Sequence, residues 1–361
     1  MSTHFHKLMI KDIRNETSEC VSIAFHVPEE LKEKFRFIHG QNITVRTLID
    51  NDEIRRSYSI CSSPLEDELR IAVKKIAGGK FSSYLDKLTK NNQLEILAPT
   101  GKFYTDLNSS NKKNYIAFAA GSGITPIISI IKTVFATEPL SSFTLIYGNK
   151  NRSSIIFKEE LEAIKNKYIS RFVLHHILSR EETESSINHG RISSTKCDEL
   201  NEKLIDIKNF DEFFICGPEQ MIFSVKDWLE KNEIDKRKIH FELFTVPGEK
   251  QTTHGSQLTA LKKKTESKSS NVTIKQDGIA FNFDLPYDAE PILDAAIRQG
   301  ADLPYSCKGG VCSTCRAKLI EGKVEMEHNY SLEPDEIEQG FILSCQSHPR
   351  TEKVVIDFDI K

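Results

Sequence analysis

Three cysteines lie within nine residues of this chain, in the stretch CKGGVCSTC at residues 307–315. Cys307, Cys312 and Cys315 have the spacing C-x4-C-x2-C, and Cys345 follows after 29 intervening residues. This spacing is typical of a plant-type 2Fe-2S cluster, in which four thiolates hold two irons. The pattern therefore predicts that these four cysteines are ligands of an electron-carrying iron-sulfur cluster.

The residues between the cysteines suit a loop that turns three sulfur atoms inward. Gly309 and Gly310 can adopt backbone angles closed to other residues and leave amides free to donate to sulfur. Zinc is the alternative for four thiolates, although structural zinc usually pairs its ligands as two C-x2-4-C motifs. A disulfide requires an oxidising compartment, and a redox C-x-x-C made by Cys312 and Cys315 leaves the other two cysteines unexplained. The remaining cysteines are scattered and are interpreted mostly as packing residues: Cys20, Cys61, Cys197 and Cys216.

Length and charge place the chain among folded, multidomain proteins. At 361 residues it is too long for one ordinary core and suggests two or three domains. Charged residues make up 28% and hydrophobic residues 39%, which excludes an intrinsically disordered chain. Residues 271–361 hold 9 Lys/Arg against 16 Asp/Glu, a net of −7, whereas the whole chain carries −3. The N-terminus is charged early and has no apolar h-region, so we expect no secretory signal and a cytoplasmic protein.

An uncharged run of 18 residues, at 114–131, reaches about the length of a membrane span. The sequence GSG and the pair Thr125-Pro126 interrupt this run in the middle. A short apolar run, a Gly-rich turn and a second apolar run are typical of a buried strand followed by a loop and a helix. We therefore expect no membrane segment here.

The order of the secondary-structure signals predicts three domains and a linker. Up to about residue 103, six short strand-like runs separated by turn residues predict a small antiparallel β-barrel. From about residue 115, strands alternate with helices, which predicts a doubly wound α/β domain that binds ligands at the carboxyl ends of its parallel strands. A polar stretch rich in Lys and Ser is interpreted as a linker, and the cysteine domain follows it. The predicted bounds are 1–105, 112–245, 246–270 for the linker, and 271–361.

A one-electron carrier needs a source of single electrons, which directs attention to a flavin site in the first domain. In RRSYSICS an Arg suits a pyrophosphate, an aromatic ring suits an isoalloxazine, and a hydroxyl suits the hydride-accepting nitrogen: Arg56, Tyr58 and Ser59. Taken alone, alternating polar and aromatic residues on a strand are more often ordinary surface. In GGKFSSYL, Gly79 leads into a helix whose Ser82 and first-turn amides form a candidate phosphate site, and the alternative is a plain helix start.

Two further turns are candidates for binding a nicotinamide nucleotide. Gly121 and Gly123, in AAGSGITP, follow a strand and precede a helix, which lets a dinucleotide approach the backbone, although the full G-x-G-x-x-G fingerprint is absent. Cys216, in FICGP, lies at the carboxyl end of the last predicted parallel strand. A cysteine in such a place is by default a small buried residue, so a catalytic role is one of two interpretations.

These motifs, in this order, resemble the ferredoxin-NADP reductase superfamily carrying a C-terminal plant-type ferredoxin domain. The resemblance rests on R-x-Y-S, G-G-x-x-S, P-x-G-x-F, G-x-G-I-T-P and C-G-P, which cover the chain to about residue 245, and on the cysteine domain at 271–361. It implies a multidomain protein with an antiparallel β-barrel for FAD, a doubly wound α/β domain for NADP(H), and an α+β ferredoxin domain of the β-grasp type. It assigns Arg56, Tyr58, Ser59, Gly79 and Ser82 to FAD, and Gly121, Gly123, Thr125 and Cys216 to the nicotinamide end.

The resemblance also places the residues that distinguish NADPH from NADH after a mid-domain strand, where this chain reads ILSREE. Ser179 and Arg180 match the position of the 2′-phosphate, with Arg152 and Arg191 as further candidates. An Arg suits this task because its planar fork binds phosphate bidentately. The acidic residues that follow, beginning with Glu181, oppose a phosphate. NADPH is therefore the expected donor, with these acids as the counter-argument.

By resemblance, the protein is an NAD(P)H-dependent flavin iron-sulfur reductase. The resemblance implies that hydride passes from NADPH to FAD near the predicted catalytic residues, Ser59 and Cys216. It also implies that single electrons then pass through the cluster to a multi-subunit oxygenase. One alternative is the reductase component of another kind of oxygenase, either a monooxygenase or a ring-hydroxylating dioxygenase. A second alternative, from another functional class, is a redox sensor without steady turnover. We expect no nucleic-acid or membrane partner.

The acidic C-terminal domain is suited to electron transfer to a partner protein that has a basic docking face. Glu333, Asp335, Glu336 and Glu338 lie near Cys345 in the sequence and are candidates for steering such a partner. The alternative is a solvated helix start, whose acidic residues favour the positive end of the helix dipole.

Overall fold

The computed structural model describes residues 4–244 and 268–360, whose strands form three large sheets and one small one. The predicted linker at 246–270 lies outside the described residues except for its last three, and a strand already begins at Ser269. Within the described ranges, no helix combines the length and apolar character needed to cross a membrane. The uncharged run at 114–131 forms a strand, a turn and the start of a helix, as expected.

The first sheet is antiparallel, with six strands in the order β4-β3-β6-β1-β2-β5. Its strands are β1 (Phe5–Thr17), β2 (Cys20–His26), β3 (Asn42–Ile49), β4 (Asp52–Ser59), β5 (Leu69–Lys74) and β6 (Gln93–Leu97). A bridge between Ile60 and Ile71 joins the two edges, so the sheet closes into the predicted barrel. The barrel encloses an apolar core, to which Phe81 of helix α1 (Lys80–Tyr84) contributes.

The second sheet has five parallel strands in the order β11-β10-β7-β8-β9, as the strand-helix alternation predicts. Its strands are β7 (Asn114–Ala120), β8 (Ser142–Asn149), β9 (Phe172–Leu178), β10 (Glu212–Cys216) and β11 (Ile239–Glu242). Its helices are α2 (Ile124–Thr137), α3 (Lys158–Lys167), α4 (Ser194–Lys203) and α5 (Glu219–Lys231). From β7 the chain runs outward to β8 and β9 and then returns to β10 on the other side. The carboxyl ends of β7 and β10 therefore form the switch point at which open α/β sheets bind ligands.

The third sheet has the order β13-β12-β18-β14-β16, in which β12 and β18 are parallel and the other pairs antiparallel. Its elements, in chain order and with the small β15-β17 pair, are β12 (Ser269–Gln276), β13 (Ile279–Pro286), α6 (Ile292–Arg298), β14 (Arg316–Glu321), β15 (Val324–Met326), α7 (Pro334–Glu338), β16 (Phe341–Leu343), β17 (Ser347–Pro349) and β18 (Lys353–Asp357). Helix α6 packs its apolar face into the core of this sheet. The barrel, the doubly wound sheet and this α+β unit confirm the predicted fold class.

Candidate functional site

The four cysteines of the third unit come together although they belong to two separate stretches of the chain. Cys307, Cys312 and Cys315 lie in the loop between α6 and β14, and Cys345 follows β16. The thiols interact most strongly in two pairs, Cys307 with Cys312 and Cys315 with Cys345, and the interaction with Cys307 lowers the pKa of Cys312. Among the described residues, no group of three or more potential ligands surrounds a single point. Two pairs fit a cluster with two thiolates on each iron better than one tetrahedral zinc ion.

Backbone geometry prepares the loop for charged sulfur atoms. Gly310 has a φ of +77°, and a Cβ at this position would lie 2.9 Å from the carbonyl oxygen of His328, so only glycine fits without displacement. The Gly309 amide donates to Cys307 Sγ at 3.4 Å, and Gln346 Nε2 donates to the sulfur of the fourth cysteine at 3.7 Å. Such N–H donors stabilise and tune a sulfur-ligated cluster. The residues present therefore fit a 2Fe-2S cluster.

The cysteine loop is buried against the first sheet. Thr314 Oγ1 lies 3.3 Å from Thr44 Oγ1 of β3, which in turn lies 3.1 Å from Ser57 Oγ of β4. Cys312 is 8% exposed and Thr314 is 5% exposed. The loop therefore packs beside the strand that carries the candidate flavin residues.

Strand β4 carries Arg56, Tyr58 and Ser59 within four positions. Arg56 is exposed, and its Nη1 donates to the carbonyl oxygen of Arg55 at 2.8 Å. The centroid of the Tyr58 ring lies 5.4 Å from that of Phe81 in α1. An exposed guanidinium and a ring two positions away can serve a pyrophosphate and an isoalloxazine. Their individual roles stay predictions.

The Gly-rich turn before α1 is shaped by Ser82. Gly78 has a φ of +75°, and a Cβ at Gly79 would lie 2.5 Å from Ser82 Oγ. The Ser82 hydroxyl accepts from the Ile76 amide at 3.2 Å and contacts the Gly79 carbonyl oxygen at 3.1 Å. Ser82 is buried, and its hydroxyl fixes the turn. Its contact with a phosphate stays a prediction.

The two nucleotide motifs, distant in sequence, touch at the switch point of the second sheet. Gly121 and Gly123 lie between β7 and α2, and a Cβ at Gly123 would lie 2.0 Å from the carbonyl oxygen of Cys216 at the end of β10. Gly121 has a φ of +54°, and Thr125 Oγ1 donates to the Ser122 carbonyl oxygen at 3.0 Å. The close approach of these backbones explains why Gly123 has no side chain.

The Cys216 side chain itself is completely buried. It is 0% exposed and packs in the apolar core on one face of the second sheet. Burial raises the pKa of the Cys216 thiol well above its usual range. The burial supports the interpretation of Cys216 as a small packing residue, and its catalytic role stays a prediction.

Glu242, which the sequence analysis missed, joins the two predicted catalytic residues. It ends β11 directly opposite Cys216 in the parallel register, and its Oε2 accepts a hydrogen bond from Ser59 Oγ at 2.8 Å. Its aromatic neighbours behave differently, since Phe241 packs against the core of the second sheet and Phe244 is 41% exposed. Glu242 could have been recognised in the sequence as an acidic residue within the apolar stretch FELF. An acidic residue that is buried in such a stretch requires a hydrogen-bonding or charged partner.

The environment of Glu242 makes it a candidate for giving or taking a proton. Burial raises the pKa of Glu242 to about 7, against the lowering effect of hydrogen bonds from Ser59 and Asn42, and the negative charge of Cys312 adds to the rise. A carboxyl group with this pKa is present in both protonation states near neutral pH. It lies where residues of all three units meet.

The residues predicted for the 2′-phosphate follow β9 at the same edge of the second sheet. The Ser179 amide donates to the Asn149 carbonyl oxygen at 2.9 Å, and Arg180 next to it is exposed. The amide before Arg191 donates to the Leu178 carbonyl oxygen at 3.0 Å, so this exposed arginine lies beside the end of the same strand. Both guanidinium groups are therefore available to an anion.

The third arginine of this group already has an acidic partner. The Glu181 carboxylate accepts a hydrogen bond from the Arg152 amide at 2.8 Å and forms an ion pair with Arg152 Nε at 3.3 Å. The carboxylate lies where a phosphate would otherwise pair with Arg152, so it weakens the electrostatic case for NADPH.

One of the four acidic residues near α7 is not available for steering a partner. Glu333, Asp335 and Glu338 are exposed, but Glu336 is 3% exposed. The Glu336 carboxylate is 3.1 Å from Arg316 Nη1 in its own unit and 3.1 Å from Lys102 Nζ at the end of the first unit. The steering interpretation is wrong for Glu336, because its charge is used inside the protein.

Three family models match the chain, one for each large sheet. They are an oxidoreductase FAD-binding domain at residues 7–104, an oxidoreductase NAD-binding domain at 118–227, and a 2Fe-2S iron-sulfur cluster binding domain at 274–350. The predicted cofactors FAD, a nicotinamide nucleotide and a 2Fe-2S cluster are thereby confirmed.

Relatives match the chain over nearly its whole length. The chain is 44% identical over 362 residues to one of the subunits of 1,2-phenylacetyl-CoA epoxidase from Escherichia coli K12, and the match covers 99% of each protein. It is 32% identical to the ferredoxin reductase component of 3-ketosteroid-9-alpha-monooxygenase from Rhodococcus rhodochrous, over 97% of this chain and 96% of the relative. The structure of phthalate dioxygenase reductase matches 98% of both chains with a TM-score of 0.58 at 24% identity, which shows the shared fold.

Changing Cys312 to Ser removes one of the four thiols of the predicted cluster site. We expect the variant to lose iron, sulfide and the visible absorption of the cluster, whereas reduction of its flavin by NADPH persists. Wild-type protein should contain about two irons and two sulfides per chain. Cys197→Ser, a buried cysteine in the core of the second sheet, serves as the control and should keep its iron. Zinc without iron in anaerobically prepared wild-type protein would contradict the cluster assignment.

Glu242→Gln should change how stability depends on pH. The folded-state pKa of about 7 is above the ordinary value of 4.5, so the native state binds the proton more tightly than the unfolded state. The protonated Glu242 carboxyl contributes to the free energy of unfolding. This contribution is complete below pH 4.5 and is lost as the pH rises towards 7. The variant should therefore gain in Tm relative to wild type as the pH rises from 4.5 to about 7, the range that this shift spans. Glu202→Gln, at an exposed position of α4, is the control. A difference in Tm between Glu242→Gln and wild type that does not change with pH would refute the raised pKa of Glu242.

Proposed function

Because this chain belongs to the family of oxygenase reductases that combine an FAD domain, an NAD domain and a 2Fe-2S ferredoxin domain, we propose that its acceptor is a phenylacetyl-CoA epoxidase. The 44% identity across 99% of both chains to a component of that enzyme carries the proposal. Under this assignment the protein supplies electrons for an oxidative step of phenylacetate breakdown. The acceptor is then a separate, multi-subunit oxygenase.

The bound cofactors explain why three domains are needed. When bound, FAD takes two electrons together as hydride from NAD(P)H and releases them singly, and a 2Fe-2S cluster carries one at a time. The protein's own part is to bind these groups in order and to hold them near one another. The contact of the cysteine loop with β3, together with the Ser59–Glu242 hydrogen bond, supports this arrangement.

We assign the site residues as follows. Ser59 and Glu242 orient the reacting edge of the flavin, with Cys216 as the buried wall beside them. Arg56, Tyr58, Gly79 and Ser82 bind FAD, Gly121, Gly123 and Thr125 admit the nicotinamide nucleotide, and Cys307, Cys312, Cys315 and Cys345 hold the cluster.

We propose NADPH as the preferred donor. The exposed guanidinium groups of Arg180 and Arg191 beside the end of β9 support this choice, and Ser179 adds a hydroxyl there. The pairing of Glu181 with Arg152 limits the preference. We also propose that the protein works in the cytoplasm without a membrane partner.

A different oxygenase is the second candidate for the acceptor. The relative from Rhodococcus rhodochrous serves a 3-ketosteroid monooxygenase and is 32% identical to this chain. Its name, like that of the Escherichia coli relative, is that of an oxygenase component. This favours an enzyme in steady turnover over a redox sensor.

Reconstitution with purified oxygenase components tests the choice of acceptor. We expect NADPH consumption coupled to epoxidation of phenylacetyl-CoA when the chain is mixed with the oxygenase subunits of a phenylacetyl-CoA epoxidase. The oxygenase component of a ketosteroid monooxygenase serves as the matched comparison. Efficient coupling with the steroid enzyme and none with the epoxidase would overturn the proposed acceptor while leaving the reductase activity in place.

Arg180→Ala and Glu181→Gln test the proposed preference for NADPH with opposite signs. Loss of the guanidinium should weaken NADPH more than NADH by about 1.5–3 kcal/mol, because one charge-assisted contact with the 2′-phosphate is lost. Neutralising Glu181 releases Arg152 and should strengthen NADPH relative to NADH. Dissociation constants for the two nucleotides measure both changes. Equal effects on NADPH and NADH in Arg180→Ala would show that this residue does not contact the 2′-phosphate.

A further inference from the structure

The ferredoxin domain rests on the outer face of the FAD barrel through a small set of polar contacts. Two strands of the barrel, β3 and β4, contact the segment that runs from the end of α6 into the cysteine loop. We call this contact the cluster dock, and it consists of Thr44, Arg46 and Arg55 of the barrel with Asp302, Leu303, Tyr305 and Thr314 of the ferredoxin domain.

Arg55 makes more of these contacts than any other member of the cluster dock. Its Nη1 donates to the Leu303 carbonyl oxygen at 3.0 Å, and its Nη2 donates to Asp302 Oδ1 at 3.1 Å. Its guanidinium carbon lies 4.0 Å from the centroid of the Tyr305 ring. Glu53 holds Nε from the other side at 2.8 Å. Arg55 is only 7% exposed, so its guanidinium group is shielded from water and has a partner at each nitrogen.

The position of Arg55 on β4 places it on the opposite face from two of the predicted FAD residues. Neighbouring side chains of a strand point to opposite faces, so Arg55 points away from the face of Arg56 and Tyr58. It shares its face with Ser57, which contacts Thr44 of the dock, and with Ser59. One row of side chains therefore runs from the ferredoxin contact to the predicted catalytic hydroxyl.

Further contacts join the ferredoxin domain to the rest of the protein, including an ion pair of His4 with Asp277 at 3.3 Å. Arg46 Nη1 lies 3.7 Å from Asp302 Oδ1, and Lys102 reaches Glu336, which Arg316 also neutralises. Val311 of the cysteine loop packs into the apolar core of the NAD domain, and Cys307 and Tyr330 pack against the same core. The contact with the barrel itself is made mainly of charged and polar groups. Exposing such groups to water again costs little, which favours reversible docking on the barrel.

We propose that Arg55 is the positioning residue for internal electron transfer, and that it acts by clamping the segment around Asp302, Leu303 and Tyr305 so that the cysteine loop rests on the barrel. In this docked arrangement the cluster site is next to the strand of Ser59 and receives electrons from the flavin. The proposal rests on the reductase function and adds a residue outside the cofactor-binding motifs.

The same geometry requires the dock to open. Thr314 and Cys312 are both buried, and the barrel covers this part of the loop. An external acceptor that approaches the cluster from this side can do so only after the ferredoxin domain has left the barrel. Arg55 therefore also sets the balance between receiving electrons internally and delivering them.

Arg55→Ala in the full-length, cofactor-loaded protein tests the proposal with two measurements. Anaerobic stopped-flow mixing with NADPH should show flavin reduction within about twofold of wild type and cluster reduction slowed by about tenfold or more, as expected for the loss of a buried, hydrogen-bonded charge. Small-angle X-ray scattering should show a larger radius of gyration, because the ferredoxin domain leaves its dock. Arg36→Ala is the matched control, since this exposed arginine of the FAD domain pairs with Glu33 of the same domain, and it should match wild type in both measurements.

A second variant covers the case in which Arg55→Ala misfolds. The Asp302 side chain is 74% exposed, so Asp302→Ala leaves the fold intact and removes one of the three docking partners of Arg55. It should slow cluster reduction by about threefold, in keeping with a mostly exposed pair, and Arg55→Lys should be intermediate because it keeps the charge without the fork. Cluster reduction at the wild-type rate in either alanine variant, with or without a change in the radius of gyration, would overturn the proposal. A wild-type protein that does not reduce the epoxidase would refute the proposed acceptor and leave this test unaffected.

Discussion

The hydrogen bond between Ser59 and Glu242, 2.8 Å long, is the point around which the arrangement of the three domains is organised. Ser59 ends a barrel strand, and Glu242 ends a strand of the parallel sheet directly beside Cys216. The cysteine loop is close enough for Cys312 to influence the pKa of Glu242. The three domains therefore converge on one partly buried carboxyl group.

Local sequence patterns were sufficient to predict most of the fold. The six barrel strands and the alternation of strands and helices follow from apolar periodicity and from turn residues, which depend only on neighbouring positions. The cysteine spacing was likewise specific, because few sites other than a plant-type cluster use it. The strands that escaped prediction have three or four residues, as in β11, β15, β16 and β17. Elements this short have no measurable period and form because a partner strand is already in place.

The residues that sequence reasoning missed share a different property. Glu242 and Arg55 owe their interest to partners that are distant in the chain and belong to another domain. No spacing rule identifies such pairs, since the fold creates them. Glu336 shows the reverse case: its sequence context indicates a surface acid, but Lys102 and Arg316 neutralise it within the protein. Functional motifs are therefore predictable where they bind a cofactor locally, and less so where domains meet.

In the proposed mechanism, electrons pass between the FAD domain and the ferredoxin domain of the same molecule. Anaerobic stopped-flow reduction of the wild-type protein by NADPH, followed at the absorption of the cluster over a wide range of protein concentration, tests it most directly. We expect a first-order rate of cluster reduction that does not change with protein concentration, because donor and acceptor are docked in one chain. A rate that rises in proportion to protein concentration would contradict it, since electrons would then pass between molecules.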